Sequence, residues 1–99
     1  MNRKKNGFGK EFNECGNLLF EGEYKNGLKW NGIGYDGKNN IVYRLNNGKG
    51  YVKEYNHYNE LVFEGEYING QKNGEGKAYD FFGELKFEGK YVNGIKVFK

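Results

Sequence analysis

The chain repeats one eight-residue phrase, Phe-Glu-Gly-(Glu/Lys)-Tyr-x-Asn-Gly, three times. The copies span residues 20–27, 63–70 and 87–94. The last two copies are 24 positions apart, and the first two are 43 positions apart. Periods in this range are typical of repeat proteins, in which each unit buries a face only by stacking on its neighbours. Such proteins act mostly through an extended surface, so the repeat favours a binding or structural function.

The residues within and between the phrases indicate β-hairpins. Alternate residues such as Phe63, Gly65 and Tyr67 point to one face of an extended strand. Asn-Gly and Asp-Gly dipeptides are strong hairpin-turn signals, because both residues tolerate a positive φ. The 17 glycines argue against helices. The predicted fold class is therefore all-β: a single elongated, twisted antiparallel meander of repeated β-hairpins, with no helix.

The whole chain is predicted to form one repeat domain of about four hairpin units. The second unit is degenerate, since it keeps Gly32-x-Gly34 but lacks the Glu-Gly-Glu phrase. The third unit carries Gly48-x-Gly50 and has two more residues before its closing aromatic residue, Tyr55, than the other units have. The domain is residues 1–99, and its units are residues 6–30, 31–47, 48–72 and 73–99.

The glycine at the centre of each phrase requires a physical reason, because glycine weakens the interior of a strand. With aromatic residues two positions away on either side, it leaves a slot in which a ring from a neighbouring strand can lie on the backbone. We expect this slot at Gly22, Gly65 and Gly89, and the Gly-x-Gly pairs are expected to supply the same slot on the adjoining strand. The nine tyrosines and eight phenylalanines then provide much of the core, and each ring removes roughly 150–250 Å² from water.

This pattern resembles the MORN repeat (membrane occupation and recognition nexus). Residues 63–76 carry the MORN pattern of an aromatic-x-Gly-x-aromatic phrase, then Asn-Gly, then Gly-x-Gly. Residues 20–34 repeat it, and residues 87–94 begin another copy. The resemblance implies an elongated sheet of hairpins used for protein–protein scaffolding, cytoskeletal attachment or self-association. It also implies phospholipid headgroup binding as an alternative.

The residues that catalysis or metal binding would need are few. His57 is the one histidine, and it lies in a turn with no His or Cys at ligand spacing. Cys15 also lies in a turn, so we expect a free thiol. The Glu-x-Glu pairs that begin at Glu21 and Glu64 could act as paired carboxylates, but their recurrence with the repeat indicates a scaffold. We therefore expect no enzyme, no cofactor and no metal site.

The aromatic face of a single-layer sheet has no second layer to cover it. A protein partner, a second copy of the chain or strong curling of the sheet must cover it. Trp30, the sole tryptophan, is either a binding hot spot or packs over the short second unit. We predict a non-catalytic scaffold that binds a protein partner or itself. Its candidate binding residues, most of them also the predicted core, are Phe20, Tyr24, Trp30, Phe63, Tyr67, Phe87 and Tyr91.

An anionic phospholipid surface is the alternative partner. Arg3, Lys4 and Lys5 form a basic N-terminal tip, and each is worth about 1 kcal/mol near an anionic membrane. The alternating Lys and Glu elsewhere do not suit nucleic acid. A carbohydrate-binding repeat that uses exposed tyrosines is a third alternative, but such repeats rely more on tryptophan, so the single Trp30 does not favour it. No apolar run reaches the roughly 20 residues of a membrane span. One cysteine fits a reducing compartment, so the predicted location is the cytoplasm, peripheral to a membrane or the cytoskeleton.

The outer strands of the predicted meander are its exposed edges. Residues 8–12 and 95–98 are expected to offer unpaired backbone groups there, and Val97 is expected to carry one of the free donors. Any self-association is therefore expected to run edge to edge or aromatic face to aromatic face.

Overall fold

A computed structural model describes residues 6–56 and 58–98. In this part of the chain there are nine β-strands and no helix, and consecutive strands within each sheet pair antiparallel. The all-β hairpin meander expected from the sequence is therefore confirmed. The strands are β1 (Gly7–Phe12), β2 (Leu18–Lys25), β3 (Leu28–Tyr35), β4 (Ile41–Leu45), β5 (Gly50–Tyr55), β6 (Leu61–Ile68), β7 (Gln71–Tyr79), β8 (Leu85–Val92) and β9 (Ile95–Lys96).

The meander is divided into two sheets, whereas the sequence predicts one. Strands β1–β4 form the first sheet and β5–β9 form the second. Between them, Asn46 and Lys49 form an isolated bridge, with N–H to O distances of 2.9 and 3.1 Å. The principal extents are 36 × 29 × 27 Å, so four units give an array only slightly longer than it is wide.

The division coincides with the shortened phrase of the second unit. Tyr43 and Phe20 both lie opposite Gly34, on its two sides. Tyr43 lies four residues before Asn47 of the following Asn-Gly turn, whereas Phe20 lies six residues before Asn26 of its following turn. The second unit is therefore two residues shorter at this point. Leu45 and Val52, one from each sheet, are buried at this point. They belong to the same apolar cluster as Phe20 and Tyr43, so a continuous core spans the division.

The Asn-Gly turns fasten the units along one edge. In all four turns both residues have positive φ, for example 55° at Asn69 and 78° at Gly70, as a type I′ turn requires. The glycine N–H of three turns donates to a carbonyl more than 15 residues earlier in the chain: Gly48 to that of Trp30 at 2.7 Å, Gly70 to that of Gly48 at 2.9 Å, and Gly94 to that of Lys72 at 2.8 Å. The first two of these bonds link the two sheets.

The opposite edge carries four five-residue loops, each closed by its first side chain. At Asp80, Oδ1 accepts hydrogen bonds from the N–H groups of Phe82 and Glu84, at 2.9 and 3.0 Å. The fourth residue of each loop has positive φ. This is typical of a hairpin in which the three central residues of the loop connect the strands. The degenerate unit keeps this loop, so all four units share it. The loops begin at Asn13, Asp36, Asn56 and Asp80.

The glycines of neighbouring strands lie opposite one another. Gly22 pairs with a glycine on each side, and Gly76 lies between Gly65 and Gly89. The prediction of matched glycines is thus confirmed for these strands. In β5 the residue opposite Gly65 is Val52. Gly50 lies opposite Tyr67, which is the position that Gly74 has opposite Tyr91 in the next unit. The third unit therefore has no insertion, and Gly48 belongs to a turn.

The predicted ring slots are confirmed on the Gly-x-Gly strands but not at the glycines of the phrase. A Cβ added to Gly76 would lie 2.9 Å from both Phe63 Cε1 and Tyr91 Cε1, and one added to Gly34 would overlap the Tyr43 ring. Rings from adjacent strands therefore lie on the Gly-x-Gly strands. At Gly65 the nearest atoms are the Gly76 Cα at 2.7 Å and the Glu75 carbonyl oxygen at 2.8 Å. The prediction of an adjacent-strand ring on the phrase glycines is wrong, because that space holds neighbouring backbone and the ring two residues earlier.

The C-terminal edge also differs from the prediction. Strand β9 has only two residues, Ile95 and Lys96. The Val97 N–H donates to the Lys90 carbonyl at 2.9 Å, so it is used within the second sheet. Val97 is therefore not a free edge donor.

We expect Gly65→Ala to destabilise the protein by about 1–3 kcal/mol, the usual cost of overpacking, because the added methyl group meets the backbone of β7. Chemical denaturation measures this loss. Gly89→Ala is the matched control at the same position of the last phrase. Its nearest neighbour is Phe87 Cζ at 3.1 Å, a ring atom that can shift, so its loss should be smaller. An equal loss in both variants, or a more stable Gly65→Ala protein, would contradict the close backbone contact.

Candidate functional site

The aromatic residues of each phrase form an edge-to-face pair. The ring centroids are 5.6 Å apart for Phe20 and Tyr24 and 5.5 Å apart for Phe87 and Tyr91. Phe63 also contacts the Tyr91 ring of the next unit at 5.4 Å. Edge-to-face geometry is preferred because the ring edge is positive and its face negative. Phe20, Phe63 and Tyr91 are buried, as their predicted core role requires.

A lysine lies over the phenylalanine of each phrase. The Nζ atoms of Lys29, Lys72 and Lys96 are 5.2, 4.2 and 5.0 Å from the ring centroids of Phe20, Phe63 and Phe87. Cation–π attraction of this kind contributes about 0.5–1 kcal/mol at exposed sites. The contact was not predicted, although an Asn-Gly-x-Lys motif at all three turns could have indicated it.

Two carboxylates lie among the tyrosine hydroxyls near the division between the sheets. Glu54 accepts a hydrogen bond from the Tyr67 hydroxyl, and Glu11 pairs with Lys29 at 2.5 Å. Burial raises the pKa of both Tyr43 and Tyr67, and the negative charges of Glu11 and Glu54 raise each pKa further. Both phenols therefore remain protonated well above the pH at which a free tyrosine ionises.

The first glutamate of the phrase has a structural partner in two copies. Tyr35 donates to Glu21 at 2.5 Å, and Tyr79 donates to Glu64 at 2.6 Å. The bond to Glu64 is the main reason that the pKa of Tyr79 rises to about 12. These cross-strand bonds give the glutamate a structural partner in both copies.

A cleft of about 250 Å³ opens where the two sheets meet, and we name it the junction cleft. Its wall combines two carboxylates, two ammonium groups, three tyrosines and two aliphatic side chains from six strands. Its residues are Glu11, Leu19, Lys29, Tyr35, Tyr43, Lys53, Glu54, Tyr55 and Val62. None of these was predicted as a site residue, because the cleft depends on how the sheets curve.

Trp30 packs over the turn of the degenerate unit. Its carbonyl accepts the Gly48 N–H, and a Cβ added to Gly48 would lie 2.8 Å from Trp30 Cζ3. Lys25 Nζ lies 4.7 Å from the Trp30 ring centroid. Of the two roles open from the sequence, this position favours packing over the short unit.

The other candidate binding residues are the paired rings of the phrases, which we name the aromatic row: Phe20, Tyr24, Phe63, Tyr67, Phe87 and Tyr91. Tyr24, Tyr67 and Phe87 are half-buried, in contrast to the buried rings of the same row. The predicted binding role of the row stays a prediction.

The remaining reactive groups form no site in the described part of the chain. Cys15 is exposed and forms no disulfide there. No group of three or more His, Cys, Asp or Glu side chains among residues 6–56 and 58–98 could hold a metal ion. The same residues contain no helix that is long and apolar enough to cross a membrane. His57 and the basic residues Arg3, Lys4 and Lys5 lie outside the described residues.

Several large apolar side chains remain exposed. Phe81 and Phe82, in the loop between β7 and β8, are 74% and 88% exposed. Phe8, Ile95 and Phe98, near the two ends of the array, are also mostly exposed. These groups contribute little to the core and are available for contact with other molecules.

Comparison with protein-family models, curated proteins and solved structures found no match for this chain.

The raised tyrosine pKa values predict a loss of stability in alkali. Below pH 10 the phenols are neutral in both the folded and the unfolded chain, so the stability they contribute is fully present. Above pH 10 the unfolded tyrosines ionise, whereas Tyr43 and Tyr67 resist ionisation, so the free energy of unfolding falls as the pH rises. Melting temperatures measured across this range should show the fall.

Tyr43→Phe should make that fall shallower, because it removes one group with a strongly raised pKa and keeps the ring. Tyr58→Phe, at a turn position that is 65% exposed, should leave the pH profile of the parent unchanged. Identical alkaline profiles for all three proteins would contradict the assignment of the pH dependence to Tyr43.

Proposed function

We propose that this chain is a non-catalytic repeat scaffold that binds another protein, with Phe81 and Phe82 at the centre of the contact. The observation that carries the proposal is the exposure of both side chains at the tip of a fixed loop. Asp80 holds the N–H groups of Phe82 and Glu84, and the Gly83 N–H donates to the Asp80 carbonyl. A fixed backbone reduces the entropy lost when the rings bind a partner.

The loop itself does not require aromatic residues. The loop between β1 and β2 has the same hydrogen bonds, from Cys15 N–H and Asn17 N–H to Asn13. It carries Glu14 and Cys15 where the last loop carries Phe81 and Phe82. Burying a phenylalanine side chain contributes about 1.5–3 kcal/mol, and this gain is realised for Phe81 and Phe82 only in a complex.

The surroundings of the loop indicate the chemistry of the partner. Phe81 and Phe82 line a shallow depression together with Glu60, Leu61 and Tyr79, and Asp80 and Glu84 frame the loop. An apolar pocket with a basic rim complements this surface, because complementary charges direct association and exclude wrong partners. The acidic groups also disfavour an anionic membrane as the partner of this loop.

The repeat architecture supports a scaffold. The resemblance of the phrases to the MORN repeat supports membership of that family, and the hydrogen-bonded glutamates give the recurring carboxylates a structural role. One cysteine in the whole chain supports a cytoplasmic location.

The test uses the double variant Phe81→Ser/Phe82→Ser. The matched control is Glu14→Ser/Cys15→Ser in the equivalent loop. Both should keep the melting temperature of the parent, because exposed substitutions usually change stability by less than about 0.5 kcal/mol. The parent and the control are immobilised and exposed to a cell extract. Both should retain a protein that the Phe81→Ser/Phe82→Ser variant does not retain.

Titration of that purified protein should then show roughly 30- to 1000-fold weaker binding to the Phe variant, as for loss of a hot spot. Equal affinity for both variants would exclude the loop as the binding site. Light scattering separates a second copy from a different protein. If the partner is a second copy, the parent should gain mass with concentration and the Phe variant should remain monomeric.

A further inference from the structure

We propose that the junction cleft binds a single neutral sugar ring. This inference goes beyond the scaffold function and does not depend on it. Three features of the cleft carry it: polar groups without a protein partner, balanced charge, and tyrosine and aliphatic side chains that line the same small volume.

Polar groups face the junction cleft without using all their hydrogen bonds. The Tyr43 and Tyr55 hydroxyls and the Lys53 ammonium line it, and within residues 6–56 and 58–98 none of the three has a hydrogen-bond or ion-pair partner. None of these three polar groups is closed off from solvent, so their hydrogen bonds are available to a molecule that binds in the cleft. The raised pKa of Tyr43 keeps its hydroxyl a donor.

The carboxylates supply the matching acceptors. Tyr67 donates to Oε2 of Glu54, while Oε1 is 3.8 Å from Lys72 Nζ, beyond hydrogen-bond distance. Lys29 contacts Oε1 of Glu11. Each glutamate therefore retains an oxygen that can accept a hydrogen bond, so the cleft contains both donors and acceptors.

The charges of the junction cleft select against charged ligands. Glu11 and Glu54 repel an anion such as phosphate, and Lys29 and Lys53 repel a cation. With two charges of each sign, a neutral ligand loses the least when it leaves water. This balance distinguishes the cleft from a site for an anionic phospholipid headgroup.

The walls of the cleft favour a ligand with an apolar face. Tyr35, Tyr43 and Tyr55, together with the aliphatic side chains of Leu19 and Val62, line the cleft beside the polar groups. A sugar ring has C–H faces that pack on aromatic rings, and its hydroxyls both donate and accept. The volume of about 250 Å³ lies below the 300–1,000 Å³ of typical drug-sized sites, so it suits one ring.

The experiment is an NMR titration of the whole chain with glucose, galactose, mannose and N-acetylglucosamine in turn. At least one sugar should shift the resonances of cleft residues, with a Kd of about 1 mM, as expected for a ligand of this size. Tyr43→Phe keeps the ring and should raise that Kd at least about tenfold. Tyr51→Phe is the control, because the Tyr51 hydroxyl lies 3.5 Å from Glu64 and outside the cleft.

Inorganic phosphate and free glycine are the comparison probes. The proposal is overturned if no sugar shifts the cleft resonances at about ten times the expected Kd. It is also overturned if phosphate or glycine binds more tightly than every sugar, or if Tyr43→Phe binds as the parent does. If Tyr43→Phe does not fold, Lys53→Met takes its place, and unchanged sugar binding by that variant has the same meaning.

Discussion

The close contact between glycine backbones and aromatic rings makes the rest of this structure possible. A Cβ on Gly65 would lie 2.7 Å from the Cα of Gly76, and one on Gly76 would lie 2.9 Å from two rings. Because these positions have no side chains, Phe63 and Tyr91 lie directly on the strands and become buried. The sheet thus covers much of its own aromatic face. The sequence alone left open whether a partner, a second copy of the chain or curling of the sheet would cover that face.

The burial of the aromatic row moves the candidate functions to other parts of the molecule. Phe20, Phe63 and Tyr91 are committed to the core, whereas Phe81 and Phe82 are exposed on a loop whose geometry does not require them. The junction cleft arises at the other irregular feature, the division between the sheets. Both proposals therefore rest on places where one unit departs from its repeat, since features shared by all units mostly build the fold.

Short sequence patterns predicted those features of the fold that are determined by residues close together in the chain. The Asn-Gly turns, the antiparallel hairpins, the matched glycines and the buried Phe20 and Phe63 all follow from short motifs. The pairing of β5 differs from the prediction because Val52 stands opposite Gly65, where the repeat predicts a glycine. The division into two sheets and the junction cleft could not be predicted, because they bring together Glu11, Tyr43 and Lys53 from three strands. That arrangement depends on the curvature of the assembled sheets.

The ring-on-glycine contact is tested most directly by the α-proton chemical shifts of Gly76 in solution. Gly16 and Gly94 are internal references, because nothing lies within 4 Å of a Cβ added to either residue. With Phe63 and Tyr91 lying against Gly76, ring currents should move its α-proton resonances well upfield of those two glycines. Gly76 α-protons resonating with those of Gly16 and Gly94 would contradict the contact on which this account of the fold depends.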